Sequence, residues 1–228
     1  MSVFRKISTI DEVNATSIGQ YAGVVAGNIP IPNDKVSFID SGYSASVMFT
    51  CLANISGVTF TVTGTYNGHL VSEQIKGPNG GIVSTDNLFD VVTSITADRN
   101  DNKAYNIGSN FYAAVVFDSY NTKNASNFNL SLYQILVNSR TTAQQWDAGN
   151  FVIYGVSGEM PRFLNATNLD YDTRSINLYP INDVTVDTTI ADLQAGFIDA
   201  SNYPFSGIIV YFTNGTLDAP TFVEITQR

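Results

Sequence analysis

Residues 57–66 read Gly-Val-Thr-Phe-Thr-Val-Thr-Gly-Thr-Tyr, with Val58, Phe60, Val62 and Tyr66 at alternate positions and threonines between them. A period of two with β-branched and aromatic residues is the pattern of a strand with one face buried. Asn67-Gly68 follows at once. That pair accepts the positive backbone angles of a type I′ turn, so His69 to Lys76 is expected to return as the second strand of a hairpin. The next segment, Gly77-Pro78-Asn79-Gly80-Gly81, reads as a turn, because proline lacks an amide donor and glycine tolerates angles closed to other residues. It is no phosphate loop, since a strand-like Ile82-Val83-Ser84-Thr85 follows where a helix with Lys-Ser/Thr is required.

Working outward, strands are expected at 35–39, 44–53, 89–97, 111–117, 129–137, 151–156, 206–213 and 220–226. Short runs bounded by Gly, Asn, Asp and Pro, with no interleaved helical period, argue for an all-β protein of the sandwich or jelly-roll type, in two sandwich-like halves with little helix. One short helix is expected over Thr189–Ala200, where Ile190, Leu193, Phe197 and Ile198 share a face. The polar stretch 118–127, with Asn121, Asn124 and Asn127, is the natural division. This gives an N-terminal arm over 1–20, a first β-module over 21–117 and a second over 128–228. The arm mixes Arg5 and Lys6 with Ile7, Ile10 and Val13 without a strand pattern, so these five residues are read as a protein contact. Removing Met1 to Ile10 is then expected to weaken attachment and leave the fold intact.

Charged residues are only 14% of the chain and the formal net charge is −9, with 11 Lys and Arg in all. Solubility therefore rests on Asn, Ser, Thr and Gly, and a neutral polar surface suits close packing against neighbours because few ions need be desolvated. Direct nucleic-acid binding is not expected, since the cations that would neutralise a row of phosphates are missing. No apolar run reaches the length of a membrane span, and the N-terminal residues lack the apolar core of a signal peptide. Six Asn-x-Ser/Thr sequons follow from a composition rich in Asn and Thr and do not establish secretion.

Groups for catalysis are sparse. His69 is the single histidine and follows a hairpin turn, which suits an exposed structural role better than a general base. No Gly-x-Ser-x-Gly elbow offers a nucleophile, and one cysteine with one histidine makes no zinc site. Cys51, with apolar Phe49 and Leu52 close by in sequence, reads as a buried thiol. Asp170 and Asp172 flank Tyr171 at a strand spacing that would suit a glycosidase pair, but the polar residues around them indicate a solvated loop. Asp98-Arg99-Asn100-Asp101-Asn102 carries oxygen ligands without the glycine and terminal glutamate of a calcium loop, and reads as a turn. No catalytic residue, cofactor or metal is expected. Aromatics at 12%, with Trp146 in a polar setting, keep a carbohydrate-binding module as the rival from another class.

The stretch 55–65, Ile-Ser-Gly-Val-Thr-Phe-Thr-Val-Thr-Gly-Thr, then Asn67-Gly68, Ser72-Glu73, Gly77-Pro78 and Leu88-Phe89-Asp-Val-Val-Thr-Ser-Ile95, resembles a recurrent module of bacteriophage virion proteins, over about residues 36–108. Tyr66 departs from the pattern at a place often acidic, and the C-terminal half is unmatched. The resemblance implies a virion component, assembled in the host bacterial cytoplasm, with no catalytic residues to carry over. Its expected partners are the major capsid protein, other virion proteins and further copies of itself. A capsid decoration or cement protein on the head is the expectation, with a neck, connector or tail protein as the alternative.

Overall fold

The computed structural model describes residues 4–118, 133–139, 151–157, 177–180, 194–198, 207–212 and 220–227. Among these residues sixteen strands run in chain order: β1 Phe4–Ile10, β2 Asn14–Tyr21, β3 Gly27–Ile29, β4 Val36–Ser37, β5 Ser44–Asn54, β6 Thr59–Tyr66, β7 His69–Lys76, β8 Asn79–Ser84, β9 Val91–Ala97, β10 Tyr105–Asp118, β11 Tyr133–Ser139, β12 Phe151–Ser157, β13 Asn177–Pro180, β14 Gln194–Ile198, β15 Gly207–Phe212 and β16 Thr221–Gln227. Among the described residues, the helices are two short 3-10 turns, at Pro32–Asp34 and Ile39–Ser41. The protein is all-β, as the alternation of the sequence requires.

The described strands form three antiparallel sheets. One runs β13-β12-β15-β10-β5-β8, with β2 also paired to β10; a second runs β3-β9-β6-β7, with β4 on β9; the third runs β1-β16-β11-β14. Phe49 of β5 stacks on Phe60 of β6 with ring centroids 4.4 Å apart, so the first two sheets face each other across a shared core. Phe60 also meets Tyr105 of β10 at 5.6 Å, and Tyr105 stacks on Tyr21 of β2 at 5.0 Å. Each fully buried aromatic of this ladder contributes roughly 1.5–3 kcal/mol by leaving water.

The hairpin at 59–76 is the one the sequence dictates. Tyr66 pairs with His69 across a two-residue turn in which Asn67 has φ 47° and Gly68 φ 75°. Val58, Phe60, Val62 and Tyr66 are all buried, and His69 is exposed. The glycine-rich segment differs from expectation: β8 already begins at Asn79 and pairs with β5, so the turn is confined to Gly77 and Pro78. Glycines 80 and 81 take positive φ values, 70° and 134°, inside the strand, opposite a register shift in β5 between Cys51 and Asn54. A bulge re-aims side chains. Here it displays Leu52, 97% exposed.

Two expectations are corrected. Residues 194–198, placed in a helix over Thr189–Ala200, form β14 against β11, and the rest of that span lies outside the described residues. Pairing with a neighbouring strand overrides a weak helical period that Gly196 already undercuts. The arm over 1–20 is not an arm: β1 pairs along its whole length with β16, Phe4 with Gln227 through Ile10 with Thr221, and β2 pairs with β10. The division at 118–127, whose residues 119–127 lie outside the described set, is crossed by hydrogen bonding, since β10 pairs with β15 over 113–118.

Candidate functional site

Strand β10 is the spine of the seven-stranded sheet, and its sequence contains one residue unsuited to a regular strand. Asn110 takes φ +69°, a left-handed conformation that asparagine tolerates better than most residues. The ladder breaks around it. On the side of β5 the register shifts between Ser109 and Ala113, and the Tyr112 N–H donates instead to Ser46 Oγ at 2.9 Å. On the opposite side β2 pairs with residues 105–109 and β15 takes over from 113. The edge of β10 is thus handed from one strand to another, and a cleft opens at the join. Gly108 sets how near β2 lies, because a Cβ there would run into the backbone of Asn14 and Ala15.

The cleft encloses about 370 Å³. Its rim is the Asp11–Glu12 turn between β1 and β2, and its sides come from Ser17 of β2, Ser37 of β4, Ser41 and Pro220. Ser109 and Asn110 of β10 and the Phe38–Tyr43 ring pair, 5.6 Å between centroids, complete it. Asn110 is 2% exposed, and its Nδ2 donates to Asp11 O at 3.0 Å, Glu12 O at 3.3 Å and Tyr43 Oη at 3.3 Å. These acceptors fix the orientation of the amide and leave Oδ1 without a hydrogen-bond partner. Ser17 Oγ donates to Asn14 O at 3.2 Å, so in its 2.8 Å contact with Ser109 Oγ the proton comes from Ser109. Burial pushes the Tyr43 hydroxyl up to about 12, the Asn110 hydrogen bond works against this and the Asp11 charge adds to it. Tyr43 is therefore neutral at physiological pH.

Two carboxylates elsewhere hold loops. Asp90, 8% exposed, accepts from Ser44 Oγ at 2.6 Å through Oδ1 and from Asn67 N at 2.5 Å through Oδ2, tying the β6–β7 turn to the start of β5. Glu73 accepts from the N–H groups of Asp86 and Asn87, both at 2.8 Å. Burial raises the Glu73 carboxyl above its ordinary value, and these two donors oppose the shift.

Of the residues read as a protein contact, only some face outward. Ile10 is wholly buried and Val13 packs against the core. Lys6 donates from Nζ to Val116 O at 2.6 Å, and burial lowers its pKa against the opposing charge of Asp90. Ile7 is 47% exposed. Arg5 pairs with Thr226 through its backbone, and its side chain lies outside the described residues. Cys51 is buried with its thiol donating to Ala104 O at 3.2 Å. Asp98 and Asp101 stabilise their turn: Asp98 accepts from Thr59 N at 2.8 Å and pairs with Arg99 at 3.0 Å, and Asp101 pairs with Lys103 at 3.1 Å. Trp146, Asp170 and Asp172 lie outside the described residues. Among the described residues no three His, Cys, Asp or Glu side chains are grouped to hold a metal.

The cleft was not foreseen in the sequence. Its one local signal is Asn110 interrupting an otherwise strand-forming run from Tyr105 to Phe117. No protein-family model matches the chain, and no curated protein matches it.

Among the described residues strand β7 is an edge of its sheet. Because Tyr66 and His69 close a two-residue hairpin, the hydrogen-bonding alternation directs the backbone groups of Leu70, Ser72, Gln74 and Lys76 away from β6. All four residues are exposed, Leu70 to 77%.

Proposed function

We propose that this chain is a structural protein of a bacteriophage virion, acting by packing against copies of itself and other virion proteins, and that its place is on the head as a decoration protein. The observation that carries the reading is the β7 edge, unpaired by any strand among the described residues, with Leu70 upon it, in a chain whose charged residues are 14% of the total. A regular strand edge offers a row of unpaired donors and acceptors to a neighbouring chain, and proteins that must stay single blunt such edges. This one carries a single charge among its four outward-bonding residues, Lys76. The bulge that displays Leu52 supplies a second apolar contact. A decoration protein works through many copies, so modest contacts add by multivalency without a deep pocket. The sequence resemblance over 36–108 points the same way.

Copy number tests it. Quantitative mass spectrometry of purified particles is expected to find hundreds of copies in each. A count of about a dozen or fewer, the number a ring at the neck or tail would hold, would refute the head assignment.

A further inference from the structure

We propose that β7 pairs antiparallel with β7 of a second copy about a twofold axis at Ser72, so that the five-stranded sheet of each chain continues into the other. The inference rests on the reading above that copies join along this edge, and it names the register in which they join. The backbone groups of Leu70, Ser72, Gln74 and Lys76 point away from β6, and no described strand receives them. The edge is anchored from behind. Glu73, which alternates with these residues, accepts from the N–H groups of Asp86 and Asn87, both at 2.8 Å, so the strand is fixed before a partner arrives and pairing has little left to order. In a chain of net charge −9, β7 is also a place where copies can approach: it carries one cation, Lys76, and one carboxylate, Glu73, already bonded to its own chain.

A strand that pairs with its own copy must be complementary to its own reverse, and the residues of β7 select the register. An axis at Glu73 uses all four outward-bonding residues but sets Glu73 directly opposite its copy, and like charges so placed are destabilising. An axis at Gln74 or Ile75 sets Pro78, which has no N–H for the ladder, opposite an outward-bonding residue. An axis at Val71 leaves only Leu70 and Ser72 in bonding pairs, since Gln74 then falls opposite Gly68 of the turn. With the axis at Ser72, Leu70 bonds to Gln74, Ser72 to its copy, and Glu73 lies opposite Val71. Lys76 falls opposite Gly68, at the far end from the partner's Lys76, so no charge meets a like charge. On the outer face Ser94 of β9 lies opposite Thr63 of β6, and Thr63 opposite Ser72, with the hydroxyls of Thr63 and Ser72 3.2 Å apart. Placing Ser72 on the axis carries this row of small hydroxyls into the partner's row without a break, and cross-strand pairs of this kind are favourable. A foreign strand would have to match this sequence of charges, whereas a second copy brings the match with it.

Single thiols test the register. Bonded partners of an antiparallel pair stand with Cα atoms about 5.5 Å apart, within disulfide reach, so the Ser72→Cys protein under oxidised glutathione is expected to collect as a linked dimer. Gln74 would lie about 14 Å from the partner's Gln74, so Gln74→Cys is expected to link no faster than the wild type, whose Cys51 is buried. Adding Leu70→Lys to Ser72→Cys is expected to slow the linkage about tenfold, by opposing the edge pairing itself. Positions 70, 72 and 74 are all exposed, so the variants are expected to melt with the wild type. The proposal is overturned if Ser72→Cys stays unlinked, if Gln74→Cys links as fast, or if Leu70→Lys leaves the rate unchanged. If no link forms while particles carry hundreds of copies, the pairing is wrong and the decoration reading stands. If the link forms and the copy number is a dozen or fewer, the reverse holds.

Discussion

Tyr43 places its hydroxyl beneath the Asp11–Glu12 turn, 4% exposed, where ionisation would set a phenolate beside carboxylates and away from water. Its pKa, about 12 in the fold against an ordinary 10.0, makes the folded chain hold a proton that the unfolded chain releases first. The contribution to stability is therefore complete below the unfolded pKa and is lost as pH rises from there towards the folded value. The loss from this residue should approach about 1.4 kcal/mol per pH unit, on the order of 1–3 kcal/mol in all. Tyr105 and Tyr211 are shifted upward by burial as well and add to the same alkaline slope. Urea unfolding of the wild type and of Tyr43→Phe across this window should give a shallower decline for the variant, by about one proton. The variant is expected to begin lower near neutrality, because Asn110 Nδ2 loses an acceptor. Parallel slopes for the two proteins would remove Tyr43 from the account.

At the level of elements, β1 shows what a pattern does and does not reveal. Its inward positions are Lys6, Ser8 and Ile10, and its outward ones include Ile7, so polarity along the strand is nearly inverted and no apolar alternation marks it. The inward polar groups are satisfied only by distant partners, Lys6 by Val116 O and Ser8 Oγ by Gly42 O at 2.8 Å, which no local reading supplies. The hairpin β6–β7 was legible because burial alternates along β6 and its turn is local, whereas β5 shows as a continuous run, buried without a break from Ser44 to Phe49. The cleft was not legible, because Asn110 meets Asp11 across 99 positions and depends on where two strands exchange along β10. The pairing of β1 also reverses the expected result of truncation. Removing residues 1–10 takes away the wholly buried Ile10 and uncovers Val223 and Ile225 of β16, both 0% exposed. The loss is expected to be at least about 3 kcal/mol, since deleting one large buried side chain already costs 2–5. Thermal unfolding measures it directly. A truncated protein that melts with the wild type would restore the arm.

For the whole molecule, the balance of charge decides how copies can meet. Two chains of net charge −9 repel at long range, and with a pI near 4.3 they do so throughout the physiological range. Contacts between them through ion pairs would weaken with salt. Contacts through Leu52 and the β7 edge, where Lys76 is the one charge among the outward-bonding residues, would not, because added ions screen the repulsion while leaving backbone hydrogen bonds and apolar burial intact; the Debye length falls from about 10 Å at 0.1 M to about 3 Å at 1 M. Sedimentation velocity over that salt range should therefore show self-association unchanged or strengthened. Leu70→Lys places a hydrated charge beside the edge hydrogen bonds and is expected to weaken association about tenfold, a device natural edges use to stay unpaired. Its unfolding midpoint should match the wild type, since Leu70 is 77% exposed and little packing is lost. Dissociation of the copies themselves in high salt would mean that charged residues, and not the β7 edge, hold them together.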